Sequence, residues 1–331
     1  MSRFYLLGGR QKKLLLKKEE EWNLYEAALI VELNTDSGEA RQRVEYHTPA
    51  EARANDNASH LFKAGTIVGN TLYSCTSTEV VQFRLPDFSQ IGYVSLPCFN
   101  DLHHVAPSHD GNLLVVTTGL DMAVKVTPKG EVLNYWPVLN EEPWSRFSQS
   151  VDYRTVDSTK PHQSHPNFVF ELGEHVWVTR FRQRDAICVT QPGLRIDVAV
   201  QTPHDGLVFG DRVYFTTVDG QIVIANTKSL NVDQVIDLKQ IGNGKALLGW
   251  CRGILPLDER RIWVAFTRVR KTKFNENILW VKHVFHEGMG EKPTHIALYD
   301  IVERQCLAEI DIEPFGLNVI FSILPAFREN R

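Results

Sequence analysis

The chain repeats itself, and a histidine returns near the start of successive copies. The segments are His60-Leu61-Phe62, His104-Val105-Ala106, His165-Pro166-Asn167 and His204-Asp205-Gly206. Each leads through a short apolar run and a turn into a strand-like stretch: Leu72-Tyr73-Ser74, Leu113 to Val116, Val176-Trp177-Val178 and Val213-Tyr214-Phe215. A fifth copy carries Arg252 in place of the histidine, within Trp250-Cys251-Arg252-Gly253-Ile254 ahead of Ile262-Trp263-Val264. A repeat of this kind cannot bury its apolar face alone. Copies stack into one body, and in a closed one their equivalent positions meet around a common axis.

The copies are all-β in character. Runs rich in Val, Ile, Phe, Tyr, Trp and Thr alternate with Gly, Asp, Asn and Pro turns, which is the pattern of short strands rather than helices. They group in fours with a period of about 40 residues, the length of a four-stranded propeller blade. Groups fall near 60–97, 101–138, 162–200, 203–238 and 247–313, and residues 3–48 supply a further set. The run Asn318 to Leu324 reads as an inner strand without a blade of its own. Pairing it with the N-terminal set closes the ring and removes an exposed sheet edge. The expectation is one all-β domain over 1–331, a closed propeller of six four-stranded blades sealed by the C-terminal strand. Gly8-Gly9 reads as an ordinary turn. Residues 139–161 form a long connection, and 271–293 interrupt the last blade with Trp280, His283, Phe285 and His286 inside, which marks that insertion as a lid.

Bulk properties exclude several classes. A formal net charge of −4 gives no reason to expect nucleic acid or an anionic membrane as partner. No apolar run reaches the roughly 18 residues of a membrane span, and nothing near Met1 resembles a signal peptide. The five cysteines are scattered, odd in number and without a CxxC pair, the pattern of reduced core thiols in a cytoplasmic protein. No Walker loop, GxSxG elbow, GxGxxG fingerprint or HExxH helix is present.

The blade pattern of Asp110-Gly111-Asn112-Leu113-Leu114-Val115 and Gly210-Asp211-Arg212-Val213-Tyr214-Phe215 resembles the six-bladed propeller superfamily. That group includes NHL-repeat proteins, arylsulfate sulfotransferases and peptidylamidoglycolate lyases. The resemblance is architectural and covers nearly the whole chain. It implies, for members with a histidine site at the axial mouth, zinc bound there and cleavage of a carbon–nitrogen bond. The lyase also relies on disulfides and secretion, and this chain shows the signs of neither.

Propeller geometry puts the starts of first strands and the ends of second strands on one rim. This gathers His60, His104, His165, His204 and Arg252 with Arg180, Arg182 and Arg184 and with Arg268 and Arg270, while Asp121 and Asp219 occupy matching points of two other blades. Imidazoles converging from separate rigid strands suit a divalent metal, Zn or Fe(II), without any HxxxH spacing. His104, His165 and His204 are the expected metal ligands, with His60 as the fourth. Arg252 and Arg180 are the expected catalytic residues, and Arg182, Arg268 and Trp250 the substrate-binding ones. His103 is expected to point away from its neighbour by strand alternation; whether it, His162 or His283 joins the site stays open. The favoured function is a metal-dependent enzyme acting on a small anionic substrate, a lyase or hydrolase with zinc or an oxygenase with iron. Two alternatives stand beside it: a non-catalytic ligand- or protein-binding propeller, and a metal-free transferase using His and Arg. Oligomeric state is not legible.

Overall fold

The computed structural model describes residues 2–12, 24–241, 246–269 and 290–327. They form six four-stranded antiparallel sheets arranged as a β-propeller. In chain order the complete blades are Thr66–Val68, Thr71–Cys75, Val80–Arg84 and Ser89–Val94; Leu102–Pro107, Leu113–Thr117, Met122–Val126 and Val132–Pro137; Pro166–Leu172, His175–Arg180, Asp185–Cys188 and Arg195–Asp197; Leu207–Phe209, Arg212–Thr216, Gln221–Asn226 and Val232–Asp237; and Trp250–Pro256, Arg261–Thr267, His295–Asp300 and Gln305–Asp311. We number these blades two to six. Blade one combines both chain ends: Val319–Pro325 lies innermost, followed by Arg3–Gln11, Tyr25–Asn34 and Ala40–Tyr46.

The sequence pattern explains the layering. Inner and middle strands are covered on both faces by adjacent blades, so they read as apolar runs rather than as alternations; all five residues of Leu113–Thr117 are buried. Outermost strands face water and carry polar residues, as in Gln305–Asp311. The core sits between blades: Leu114, Val116 and Ala123 of blade three pack with Val169, Val176 and Val178 of blade four. All five cysteines are unpaired, and four are buried. Among the described residues no helix is long and apolar enough to cross a membrane.

The seam of the ring corrects one reading. Gly8 and Gly9 are not a turn but lie inside Arg3–Gln11, against the C-terminal strand. A Cβ on Gly8 would stand 1.9 Å from the Val319 carbonyl oxygen, so only glycine lets the two backbones approach. The register shifts here from Leu7↔Ser322 to Gly8↔Ile320, which leaves Phe321 as the extra residue of a β-bulge. Of the insertion at 271–293, residues 290–293 are described, with Gly290–Glu291 paired in parallel to Ala246–Leu247. Its remainder, including Trp280, His283, Phe285 and His286, lies outside the described residues, as does Arg270.

Gly8→Val should therefore weaken the seam by about 3 kcal/mol, the upper end for overpacking, because the obstacle is backbone. Gly38→Ala has open space around it and a φ of 72°, so about 1–2 kcal/mol is expected from left-handed strain alone. Urea denaturation of both variants checks this; equal losses would show that the seam tolerates a side chain.

Candidate functional site: a histidine cluster at the axial mouth

Bulges decide which side chains reach the axis. The inner strand of blade three shifts register between Leu102 and His104, blade four between Pro166 and Phe168, and blade six between Cys251 and Ile254. The extra residues are His103, Asn167 and the Arg252-Gly253 pair, with Phe321 in blade one. A bulge reverses the alternation beyond it and re-aims the side chain. His103 accordingly takes the place expected of His104. Its ring centroid lies 4.9 Å from His165, 5.8 Å from His204 and 6.3 Å from Phe321.

Around this centre stand Asp101, Lys63, His162 and Arg252. Asp101, His162 and His165 each offer a ligand atom, and these atoms lie within 4.8 Å of one another, so the group can hold a metal ion. His162 and His165 meet through their Nδ1 atoms at 2.8 Å. Asp101 Oδ1 accepts from Lys63 Nζ at 2.7 Å and lies 3.5 Å from His103 Nε2. Asp101 and His165 both adopt positive φ, 48° and 57°. For a histidine that conformation is uncommon and needs external support. Asp121 supplies it: its carboxylate accepts the backbone N–H groups of Gln163, Ser164 and His165 at 2.8–3.0 Å and a 3.1 Å bond from Arg146 Nη2.

Of the four expected ligands, His165 alone belongs to the group that can hold an ion. His204 lies near it, its ring centroid 5.8 Å from His103, but is not one of that group. His104 has turned into the wall between blades, where its ring stacks on Phe168 at 3.6 Å. Its Nδ1 accepts from the Val169 N–H at 3.2 Å and its Nε2 lies 3.1 Å from Thr66 Oγ1, so neither nitrogen is free for a metal. His60 sits beside His47, with its Nδ1 accepting from the Thr48 N–H at 3.0 Å. In blade two the Lys63 N–H donates to Cys75 O, as the His204 N–H does to Thr216 O in blade five. Lys63 is thus the true equivalent of His204, and His60 precedes the register. The long spacer after His60 is the signal that shows this in the sequence. For Asp101, which the sequence reading missed, no repeat signal exists.

The arginines divide similarly. Arg180 is clamped by Asp185 through two bonds of 2.8 and 2.6 Å and donates to Val138 O, so it braces blade four instead of facing a substrate. Arg268 forms a fork with Glu313 at 2.8 and 2.7 Å. Arg182 is exposed, its N–H donating to Ser164 O next to the histidine loop. Arg252 lies over the Phe321 ring at 4.7 Å and near the Trp250 ring at 5.9 Å. Its Nε is out of solvent without a hydrogen-bond partner, and no carboxylate pairs with it among the described residues.

Burial sets the protonation. It pushes His103 and His104 down to about 3 and lowers His162, His165 and His204 below the usual histidine range, since a charged imidazole loses its hydration there. Burial alone would raise Asp101, but Lys63 and then His103 outweigh it and hold the carboxyl well below its ordinary value. At neutral pH the mouth therefore presents neutral imidazoles and an ionised carboxylate. The opposite end of the axis differs: a cavity of about 450 Å³ lined mainly by apolar residues such as Ile67, Phe168, Leu207, Ile254 and Leu324.

No protein-family profile matches the chain, and no curated protein does. Among solved structures it is similar to a protein of unknown function from Bacteroides caccae, at 14% identity and a TM-score of 0.62 over 99% of this chain and 100% of that one. It is similar also to a putative 6-phosphogluconolactonase from Bacteroides fragilis, at 9% identity and a TM-score of 0.51 over 93% and 82%. A virginiamycin B lyase from Staphylococcus aureus aligns at 15% identity and a TM-score of 0.46 over 72% and 70%. Likeness at this level shows the fold alone.

The depressed pKa of His104 gives a stability prediction. Unfolded, its imidazole takes up a proton near pH 6.5; folded, it refuses one until about 3. Its contribution is fully present above pH 6.5 and is lost as pH falls towards 3, by at most about 1.4 kcal/mol per pH unit. Urea denaturation at pH 7.5, 6 and 5 should show a fall to which His103, His162, His165 and His204 also contribute, and His104→Gln should make it shallower by the share of one histidine. His104→Ala should cost about 2–4 kcal/mol by orphaning the Val169 N–H and leaving a cavity against Phe168.

Proposed function

We propose that this protein is a metal-dependent enzyme that acts on a small anionic substrate at the histidine mouth of the ring. The observation that carries the reading is the group of Asp101, His162 and His165, with ligand atoms within 4.8 Å of one another beside an arginine that lacks a carboxylate partner among the described residues. Two neutral imidazoles and one ionised carboxylate are the donor set of catalytic zinc sites and of two-histidine-one-carboxylate iron(II) sites. His162, His165 and Asp101 would hold the ion. When bound, it would polarise a substrate oxygen or lower the pKa of a bound water to about 7. The chain's own residues do the rest. Lys63 keeps Asp101 ionised, Asp121 fixes the loop that carries His162 and His165, and Arg252, partly exposed with its Nε out of solvent and unmatched, attracts the anion.

A second reading draws on the 2.8 Å contact between His162 Nδ1 and His165 Nδ1, which as it stands is a hydrogen bond. Joined imidazoles beside Arg252 suit metal-free transfer chemistry or plain anion binding. Metal analysis separates the two. Protein supplied with zinc, or with iron(II) under anaerobic conditions, is expected to retain one equivalent of one of them after desalting. His165→Ala should bring retention below a tenth of an equivalent, with His60→Ala unchanged. If neither metal is retained by the wild type, the metal reading fails and the metal-free one takes its place.

A further inference from the structure

Four buried polar atoms around the axis have no hydrogen-bond partner among the described residues: His103 Nδ1, His204 Nε2, Asn167 Oδ1 and Arg252 Nε. Three of these residues stand at inner-strand bulges, and the fourth, His204, directly follows Pro203, whose carbonyl accepts from Asn167 Nδ2 at 3.2 Å. His103, Asn167 and His204 are 5%, 0% and 2% exposed. Leaving a buried polar group unmatched costs about 1–3 kcal/mol each. Unmatched atoms of this kind at the bulges and starts of inner strands therefore call for a ligand of complementary pattern.

That pattern can be read from the groups behind each atom. A carboxylate only accepts, so the ring nitrogen facing it carries the hydrogen. His204 Nδ1 faces Asp205 Oδ1 at 3.3 Å, which leaves Nε2 as an acceptor. Asp205 is itself held by the Gly253 N–H at 2.8 Å and by the Thr216 hydroxyl, so this tautomer is locked. His103 Nε2 faces Asp101 Oδ1, which leaves Nδ1 as an acceptor as well. Asn167 spends its amide hydrogen on Pro203 O and offers its oxygen. Arg252 supplies the donor and the charge. Among the described residues Lys63 is already tied to Asp101, so the cation left over matches a single negative charge better than a phosphate dianion.

The geometry points to a small carboxylic acid that bears amide N–H or hydroxyl donors next to its carboxylate, recognised by Arg252 at the charged end and by His103, His204 and Asn167 at the donor end. This rests on the reading of the mouth as an anion site and gives that site its substrate class. It does not depend on the metal. A site that accepts hydrogen bonds rejects an analogue lacking the donors strongly, because its buried acceptors are then stranded.

Oxamate and pyruvate test this, since they have nearly the same shape and charge and differ by an amide NH2 in place of a methyl. Calorimetric titration of EDTA-treated full-length protein at pH 7.5 should show oxamate bound at least tenfold more tightly. His204→Phe or His103→Phe should reduce the preference to less than about threefold, and Arg252→Met should weaken both ligands alike. In wild-type protein labelled with 15N at histidine, oxamate should shift the His204 Nε2 resonance and leave Nδ1 protonated, a readout that stands even if a variant fails to fold. Equal affinities, no binding of either acid, or an unmoved His204 signal overturns the assignment. Zinc retention in the same protein is scored separately, so failure here and failure of the metal reading are distinguishable.

Discussion

The pairing of Val319–Pro325 with Arg3–Gln11 is the contact on which the molecule depends, because it joins the chain ends into blade one and closes the ring. Without it the first blade lacks its inner strand and the sixth lacks its neighbour. Closure also shapes the site. Gly8 lets the two backbones come so near that the register slips by one residue, and the slipped residue, Phe321, turns onto the axis. There its ring lies under Arg252 and Lys63 and beside His103 and His204. One strand pairing thus supplies both the mechanical seal and the apolar floor that dries the cluster.

Dryness then governs the chemistry. A charged imidazole in such a place lacks its hydration, so the histidines stay neutral and their lone pairs stay available. The same setting would neutralise Asp101 were Lys63 not 2.7 Å away. Lys63 is itself 6% exposed, so the pair is held together by mutual need in a poorly solvated place. Asp121 and Asp205 act through other residues, the one holding His165 in its left-handed conformation and the other fixing the tautomer of His204. Both carboxylates are engaged, Asp121 with three backbone N–H groups and Arg146, and Asp205 with the Gly253 N–H, the Thr216 hydroxyl and the His204 ring, which makes them anchors rather than ligands.

The blade boundaries and the sealing strand were legible because they rest on side-chain character averaged over many residues. Which histidine faces the axis was not, because that turns on single-residue shifts. Strand alternation sends His103 away from the centre and His104 towards it; the bulge between Leu102 and His104 exchanges them. His60 looked equivalent to His204 because both open a repeat, yet the backbone pairing of Lys63 with Cys75 marks Lys63 as the equivalent residue. Arg180 and Arg268, expected on the rim, are held by Asp185 and Glu313, partners that sequence spacing does not single out.

What the sequence determined by itself is the architecture: a repeat of about 40 residues with strand patterning has few ways to bury its apolar faces, and a closed ring of blades is one that leaves no open edge. It also led to the expectation that histidine and arginine gather at one mouth, since repetition copies positions and closure brings them together. The tertiary structure alone decided which of those side chains come together as a candidate site, and set Asp101, Lys63, His162 and Asn167 beside them as candidates. The physical reason is scale. Burial of apolar strands is a sum of many small terms that no single residue can upset, whereas the aim of one side chain depends on a bulge or a slipped register worth a residue's length, settled only when neighbouring blades pack against one another.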